Sequence, residues 1–138
     1  ALLDAMLRAL PEARIDEVFA RARRELSDFT GITPLDPPAT FTGTLREYQR
    51  EGLGWLAFLE KFRFGGCLAD DMGLGKTIQV LGMLDSRRVQ DSRGENPRRT
   101  SLVVVPRSLV FNWVSEAKKF TPKLKVYDHS GLDRLKSA

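Results

Sequence analysis

The chain has 138 residues with a formal net charge of +4, and hydrophobic residues make up 42% of it. This length fits one domain with its own core, and it excludes a motor built from two such domains. The one cysteine, Cys67, excludes an internal disulfide framework. The lone cysteine also favours a reducing compartment, so we expect a cytoplasmic protein. Neither a signal peptide nor an apolar run of transmembrane length is visible, so we expect no membrane partner.

Residues 1–40 predict a helical accessory segment and a linker. Apolar residues recur at helical spacing within 12–29, and a shorter helical pattern precedes Pro11. A cluster of turn-forming residues then indicates the linker, namely Gly31, Pro34, Pro37 and Pro38. Residues 1–40 carry a net charge of −2 and residues 41–138 carry +6. We therefore predict a boundary near residue 40, with 41–138 as a separate unit.

Residues 44–62 predict an amphipathic helix. Thr44 and Glu47 have the spacing of a capping box. Apolar side chains recur at helical intervals after them, and Gln49 is a polar residue one turn into the helix.

Residues 68–79 predict a loop that binds a polyphosphate. The core of the loop, residues 73–77, lies between a short apolar run and a helical pattern that begins at Ile78. Gly73 and Gly75 permit positive φ angles, which bring backbone N–H groups close to phosphate oxygens. The following helix adds the positive end of its dipole.

Two side chains in this loop have predicted catalytic roles. Lys76 supplies a charge for the β and γ phosphates, and the Thr77 hydroxyl is a ligand for Mg²⁺. The generic phosphate-loop pattern has glycine at position 70, where this chain has Asp70. The predicted contacts of the nucleotide here are Asp70, Asp71, Met72, Gly73, Leu74, Gly75, Lys76, Thr77 and Ile78.

A second buried strand is predicted at 101–105, where a β-branched run ends at Pro106 and a helix with Trp113 on its apolar face follows. The first strand is predicted at 65–69, and its apolar neighbours predict that Cys67 is buried. A right-handed crossover through the helix after Lys76 would join the two strands in one parallel sheet. The predicted fold class is therefore α/β.

The helix at 44–62, the loop at 68–79 and the segment at 101–113 closely resemble the Swi/Snf family of DNA-translocating ATPases, in superfamily two of the helicases. The resemblance runs from about Leu45 to Phe120, and Asp71 is typical of its bacterial members. It implies that 45–49 is an adenine-recognising motif with Arg46 and Gln49, and that 70–79 is motif I. It further implies that 105–108, with Asn112 and Trp113, is motif Ia.

From this resemblance we expect a partial RecA-like lobe that binds ATP and Mg²⁺. Its implied contacts with the phosphates of double-stranded DNA are Pro106, Arg107, Ser108 and Asn112. The parent protein would close this lobe on a second RecA-like lobe, step along DNA, and remodel or displace bound proteins. Such a protein would be associated with the bacterial nucleoid.

The acidic pair that positions Mg²⁺ and water does not follow Thr77 in the sequence. The acids after Thr77 are Asp85, Asp91, Glu95, Glu116, Asp128 and Asp133, and no two of them are adjacent. Asp128 comes closest, but alternating lysines before it favour an edge strand. We therefore expect the chain to be the N-terminal part of the first lobe of a longer protein, inactive by itself.

Two other functions stay open from the residues alone. A P-loop phosphotransferase or small NTPase would use the same loop, but it needs within this chain the acidic group that positions Mg²⁺ and water. A non-catalytic binding module would use the basic face and Trp113 for docking. Ser108 has an alternative role as the N-cap of its helix, and Arg107 as a solvated surface residue.

Overall fold

The computed structural model describes residues 26, 30–94 and 100–130. The chain divides into two compact units, Ala1–Gly31 and Ile32–Ala138. The helices predicted before residue 30 lie outside the described residues except for Leu26, as do Glu95 and Asp133. The second unit contains both the predicted phosphate loop and the predicted DNA contacts.

Three helices form the described part of this unit. They are α1, Glu47–Phe62; α2, Lys76–Ser92; and α3, Arg107–Phe120. Helix α2 packs against both α1 and α3. The three helices correspond to the three helical patterns that the sequence predicts after residue 40.

The start of α1 differs from the predicted capping box. Arg46, and not Thr44, is the N-cap residue. The side chain that reaches back is that of Gln49, whose Oε1 accepts a hydrogen bond from Arg46 N at 3.0 Å. Glutamine at the third helical position satisfies one of the amides that a helix start leaves unpaired.

A small apolar core lies where α1 and α2 meet the segment before α1. Phe41, Leu45 and Leu53 are buried, and Phe120 packs against them from α3. The rings of Phe41 and Phe120 stack with their centroids 6.0 Å apart, and Thr42 N donates to Phe120 O at 2.7 Å. Residues 41 and 42 thereby join α3 to the core.

A buried polar network joins the segment before α1 to α2 through Thr40. Asp85 is completely buried, and its carboxylate accepts hydrogen bonds from Thr40 Oγ1 at 2.6 Å and from Arg88 Nε at 2.8 Å. Arg88 Nη2 also donates to Thr40 Oγ1 at 2.8 Å. A buried carboxylate is tolerated when charged and polar donors satisfy it in this way.

The strands predicted at 65–69 and 101–105 are wrong for the described residues. Both segments lack regular secondary structure, Cys67 is exposed and not buried, and Leu102 and Val104 are 84% and 85% exposed. A parallel strand needs hydrogen-bonded neighbours for its backbone and covering helices for both faces. Within the described residues neither segment has such neighbours, so only the helices of the predicted α/β lobe are formed.

None of the helices in the described residues combines the length and the apolar character that a membrane span requires.

Candidate phosphate-binding site

The glycine-rich loop before α2 turns through left-handed backbone at two glycines. Gly73 has φ 85°, and Gly75, the N-cap of α2, has φ 79° and ψ 42°. A Cβ at Gly75 would lie 2.7 Å from Gln49 Nε2 and 3.0 Å from Ile78 Cγ2. Position 75 therefore requires glycine both for its left-handed backbone and for its close neighbours.

Lys76 folds back over this loop. Its Nζ donates to the carbonyl oxygens of Asp70 at 2.6 Å and Asp71 at 2.9 Å. Both acceptors are neutral carbonyls, so these bonds orient the ammonium without cancelling its charge. No side chain caps the start of α2, and the helix dipole there favours an anion. The ammonium and the helix start together fit a polyphosphate.

The first turn of α1 is joined to the same loop through one carbonyl. Gln49 Nε2 and Tyr48 Oη each donate to Leu74 O at 3.0 Å. Gln49 is 7% exposed, and its Oε1 accepts from Arg46 N. Both polar ends of the Gln49 amide therefore have protein partners, and the predicted adenine-reading residue also supports the phosphate loop.

Gln79 is the last residue of the predicted motif I, and no contact was predicted for its side chain. It is completely buried on α2, and its Nε2 donates to Asp70 Oδ2 at 2.9 Å. Its position three residues after Lys76, on the next turn of the same helix, is the signal that could have indicated it. The Asp70 carboxylate is thus fixed by Gln79 while the Asp70 carbonyl holds Lys76.

The other predicted nucleotide contacts lie at different depths. Asp71 and Met72 are at the exposed tip of the loop, with Met72 96% exposed. Thr77 is half-buried in the first turn of α2, and Ile78 packs against the core. Arg46 is exposed and meets the site through its backbone amide.

The predicted DNA contacts gather at the start of α3. Pro106, Arg107, Ser108 and Asn112 are all exposed. The alternative role of Ser108 as N-cap is wrong, because Pro106 is the N-cap and α3 begins at Arg107. Ser108 and Asn112 are four residues apart in α3 and therefore share one face of it.

Asp128 lies near this surface and not at the end of a buried strand. Its carboxylate accepts a hydrogen bond from Ser130 N at 2.9 Å. Hydrogen bonding to Ser130, followed by the positive charge of Arg107, lowers the Asp128 pKa below its usual value. The Asp128 carboxylate is therefore held by its own turn, and its charge interacts with that of Arg107 at the start of α3.

Comparison with known proteins gives concordant matches. Residues 48–136 match the family described as SNF2-related domain. An uncharacterized ATP-dependent helicase of Mycoplasma genitalium is 50% identical over 63% of this chain and 8% of its own length. The TATA-binding protein-associated factor MOT1 of Saccharomyces cerevisiae is 35% identical over 88% of this chain and 7% of its own length.

A solved structure is also similar to most of this chain. It is the Sulfolobus solfataricus SWI2/SNF2 ATPase core in complex with dsDNA, with a TM-score of 0.63 and 38% sequence identity. The match covers 80% of this chain and 21% of that one. The chain thus spans less than a tenth of the two curated relatives above and about a fifth of the solved ATPase core.

Proposed function

Since the chain belongs to the SNF2-related domain family, we propose that it is the ATP-binding part of a DNA-translocating, helicase-like ATPase. The observation that carries the proposal is the joined loop, in which Lys76 lies over the glycine turn and Gln49 supports it from α1. The relatives named as ATP-dependent helicases and as an ATPase core support the same activity.

In this proposal the nucleotide binds across the loop and the start of α1. The backbone amides around Gly73 and Gly75 contact the phosphates, and Lys76 leaves the Asp70 and Asp71 carbonyls to pair with them. Gln49 recognises the adenine edge. Thr77 presents its hydroxyl to Mg²⁺, which supplies positive charge against the phosphate oxygens.

Duplex DNA is the proposed second ligand. The exposed surface formed by Pro106, Arg107, Ser108 and Asn112 would contact phosphates of one strand, since a helix start offers free amides and Arg107 a positive charge. The similar Sulfolobus solfataricus ATPase core was solved in complex with dsDNA, which supports this ligand.

The parent protein would close this lobe on a second RecA-like lobe with each ATP cycle and step along DNA, displacing bound proteins on the bacterial nucleoid. We expect the 138 residues by themselves not to hydrolyse ATP, because phosphoryl transfer requires a positioned acid and water as well as the loop.

Steady-state ATP hydrolysis by the full-length protein, with and without duplex DNA, tests the proposal. We expect DNA to stimulate hydrolysis and Lys76→Ala to abolish it, while Lys125→Ala, at an exposed lysine outside the loop, retains it. Hydrolysis that neither DNA nor Lys76→Ala changes would overturn the proposal. Transfer of phosphate to a small acceptor, independent of DNA, would favour a phosphotransferase instead.

A further inference from the structure

Gln79 is a buried polar residue with an unusual environment. Its side chain is completely buried, and its Oε1 has no hydrogen-bond partner among the described residues. Leaving a buried acceptor unsatisfied costs stability. An apolar residue of similar size would avoid this cost, so the glutamine requires an explanation beyond packing.

The other end of the same amide provides the explanation. Nε2 donates to Asp70 Oδ2 at 2.9 Å, a hydrogen bond to a charged acceptor and therefore one of the stronger kind. Only the NH₂ end of the amide can face a carboxylate, so this bond dictates the orientation of Gln79 and turns Oε1 away from Asp70.

Gly52 on α1 provides the space for that orientation. A Cβ at position 52 would collide with Gln79 Oε1 and would lie 3.0 Å from Gln79 Cδ. Gly52 lies in the middle of a regular helix, where glycine is less favourable than alanine. The close approach of Gln79 accounts for the glycine.

These contacts form a continuous connection from α1 to the phosphate loop. Gly52 contacts Gln79, Gln79 holds the Asp70 carboxylate, and the Asp70 carbonyl accepts from Lys76 Nζ at 2.6 Å. Asp70 stands where the generic phosphate loop has glycine, so its side chain needs a partner to keep it out of the path of the phosphates.

We propose that Gln79 is a positioning residue of the nucleotide site: it anchors Asp70, and through it the loop 70–75, in the conformation that receives the phosphates. Because Gly52 has no side chain, it leaves the space that Gln79 needs for this anchoring. The inference deepens the proposed function and rests on it, because it assumes that the loop binds ATP.

The first test measures binding of a fluorescent ADP analogue to the full-length protein. Gln79→Met keeps the size of the side chain but removes the donor, and we expect about tenfold weaker binding, as the loss of one charge-assisted hydrogen bond implies. We expect KM for ATP to rise similarly and kcat to change less than about threefold, because bound phosphates hold the loop themselves at saturation. Gln90→Met, at an exposed position near the end of α2, is the matched control.

The second test reverses the direction of the hydrogen bond. Gln79→Glu places two carboxylates face to face and should weaken ADP binding further than Gln79→Met does. Adding Asp70→Asn lets the new amide donate to the carboxylate at position 79 and restores the original net charge, so the double variant should recover most of the affinity. Such a rescue is specific to the pair, and a general loss of folding would not show it.

The third test uses the space at Gly52. Gly52→Ala should displace Gln79 and weaken ADP binding, while in a Gln79→Ala background the added methyl group should have no further effect. Thermal unfolding and DNA binding of the same variants reveal any general structural damage.

The outcomes separate this inference from the proposed function. If Lys76→Ala weakens ADP binding and Gln79→Met does not, the inference is overturned and the proposed function stands. If Lys76→Ala also binds as wild type, the proposed function itself fails. An absent rescue in the double variant, or losses of Tm and DNA binding that match the loss of ADP binding, would assign Gln79 a purely structural role.

Discussion

The Gln49 amide donates from Nε2 to the Leu74 carbonyl oxygen at 3.0 Å, and it thereby joins the first turn of α1 to the glycine-rich loop. The Tyr48 hydroxyl donates to the same oxygen at the same distance. A carbonyl oxygen has two lone pairs and accommodates both donors. The first turn of α1, which is proposed to read adenine, therefore holds the proposed phosphate loop through two hydrogen bonds to Leu74 O. Either donor can hold the loop when the other is lost.

This shared acceptor predicts different effects of two substitutions. Gln49→Ala should reduce discrimination between ATP and GTP and leave phosphate binding largely intact, because Tyr48 still holds Leu74 O. Tyr48→Phe should leave base discrimination unchanged, because Gln49 is retained. Competition of ATP, GTP and inorganic tripolyphosphate against a fluorescent ADP analogue measures both.

The double variant Tyr48→Phe with Gln49→Ala is the decisive combination. It removes both donors from Leu74 O, so tripolyphosphate binding should weaken by more than the sum of the single effects. Strictly additive effects would show that the shared carbonyl does not support the loop.

The Lys76 ammonium should contribute strongly to nucleotide affinity. Lys76→Ala removes the formal charge that lies over the loop and should cost about 1.5 to 3 kcal/mol of ADP binding, the range for a charge-assisted hydrogen bond. Calorimetric titration of the full-length protein measures this loss. Lys125→Ala, at an exposed lysine after α3, should bind ADP as wild type does. Equal losses in both variants would indicate a general effect of surface charge.

The helices and the loop could be predicted because their signals are local. Helical spacing identified α1, α2 and α3, and Gly73, Gly75 and Lys76 identified the turn between the first apolar run and α2. The strands could not be predicted in the same way, because a strand depends on partners elsewhere in the chain. Val104 has the side chain of a buried strand residue but is 85% exposed, without a neighbouring strand in the described residues.

Contacts between distant residues limited prediction of the site. The sequence indicated Gln49 and Lys76 by their motifs, but not that Gln79 would bond to Asp70, since that bond depends on how α2 leaves the loop. The role of Asp85 was missed for a similar reason. Its partner Thr40 is 45 residues earlier in the sequence, and only the packed structure brings the two together.

Asp85 should contribute to stability and not to catalysis. Asp85→Asn removes the charge that receives hydrogen bonds from Thr40 and Arg88, and we expect a loss of about 1.5 to 3 kcal/mol in the free energy of unfolding. Urea denaturation of the full-length protein, followed by tryptophan fluorescence, measures the loss. Gln90→Ala on the exposed part of α2 should stay within about 0.5 kcal/mol of wild type. A stable Asp85→Asn variant without ATPase activity would contradict the structural role.

The Asp128 carboxylate should titrate below its usual range. Hydrogen bonding to Ser130 and the charge of Arg107 lower its pKa from the ordinary 3.8. The folded pKa lies below the unfolded one, so its contribution to stability is fully present above pH 3.8 and is lost as the pH falls through the folded value. Ser130→Ala removes the side-chain hydrogen bond to Asp128 and keeps the backbone one, so it should raise the Asp128 pKa. Carboxyl-carbon NMR titration measures the shift, and a midpoint unchanged by Ser130→Ala would contradict the assigned cause.

The surface at the start of α3 predicts how DNA binding depends on salt. Contacts to phosphates carry no sequence information, so duplexes of different sequence should bind with nearly equal affinity. Each neutralised phosphate contributes about 0.9 to the slope of log affinity against log salt. Arg107→Ala should lower that slope by roughly one unit if its guanidinium meets a phosphate. Fluorescence anisotropy with a labelled duplex over a range of salt concentrations measures the slope.

Three companion variants test whether the DNA prediction is specific to the start of α3. Asp128→Asn removes a carboxylate whose charge interacts with that of Arg107, so it should strengthen DNA binding by removing one negative charge that repels the phosphates. Lys118→Ala, at an exposed position near the other end of α3, should leave both affinity and slope unchanged. If Arg107→Ala keeps the wild-type slope, Arg107 is a solvated surface residue. If Ser108→Ala also leaves DNA-stimulated hydrolysis intact, the start of α3 is structural and the DNA contacts lie elsewhere in the parent protein.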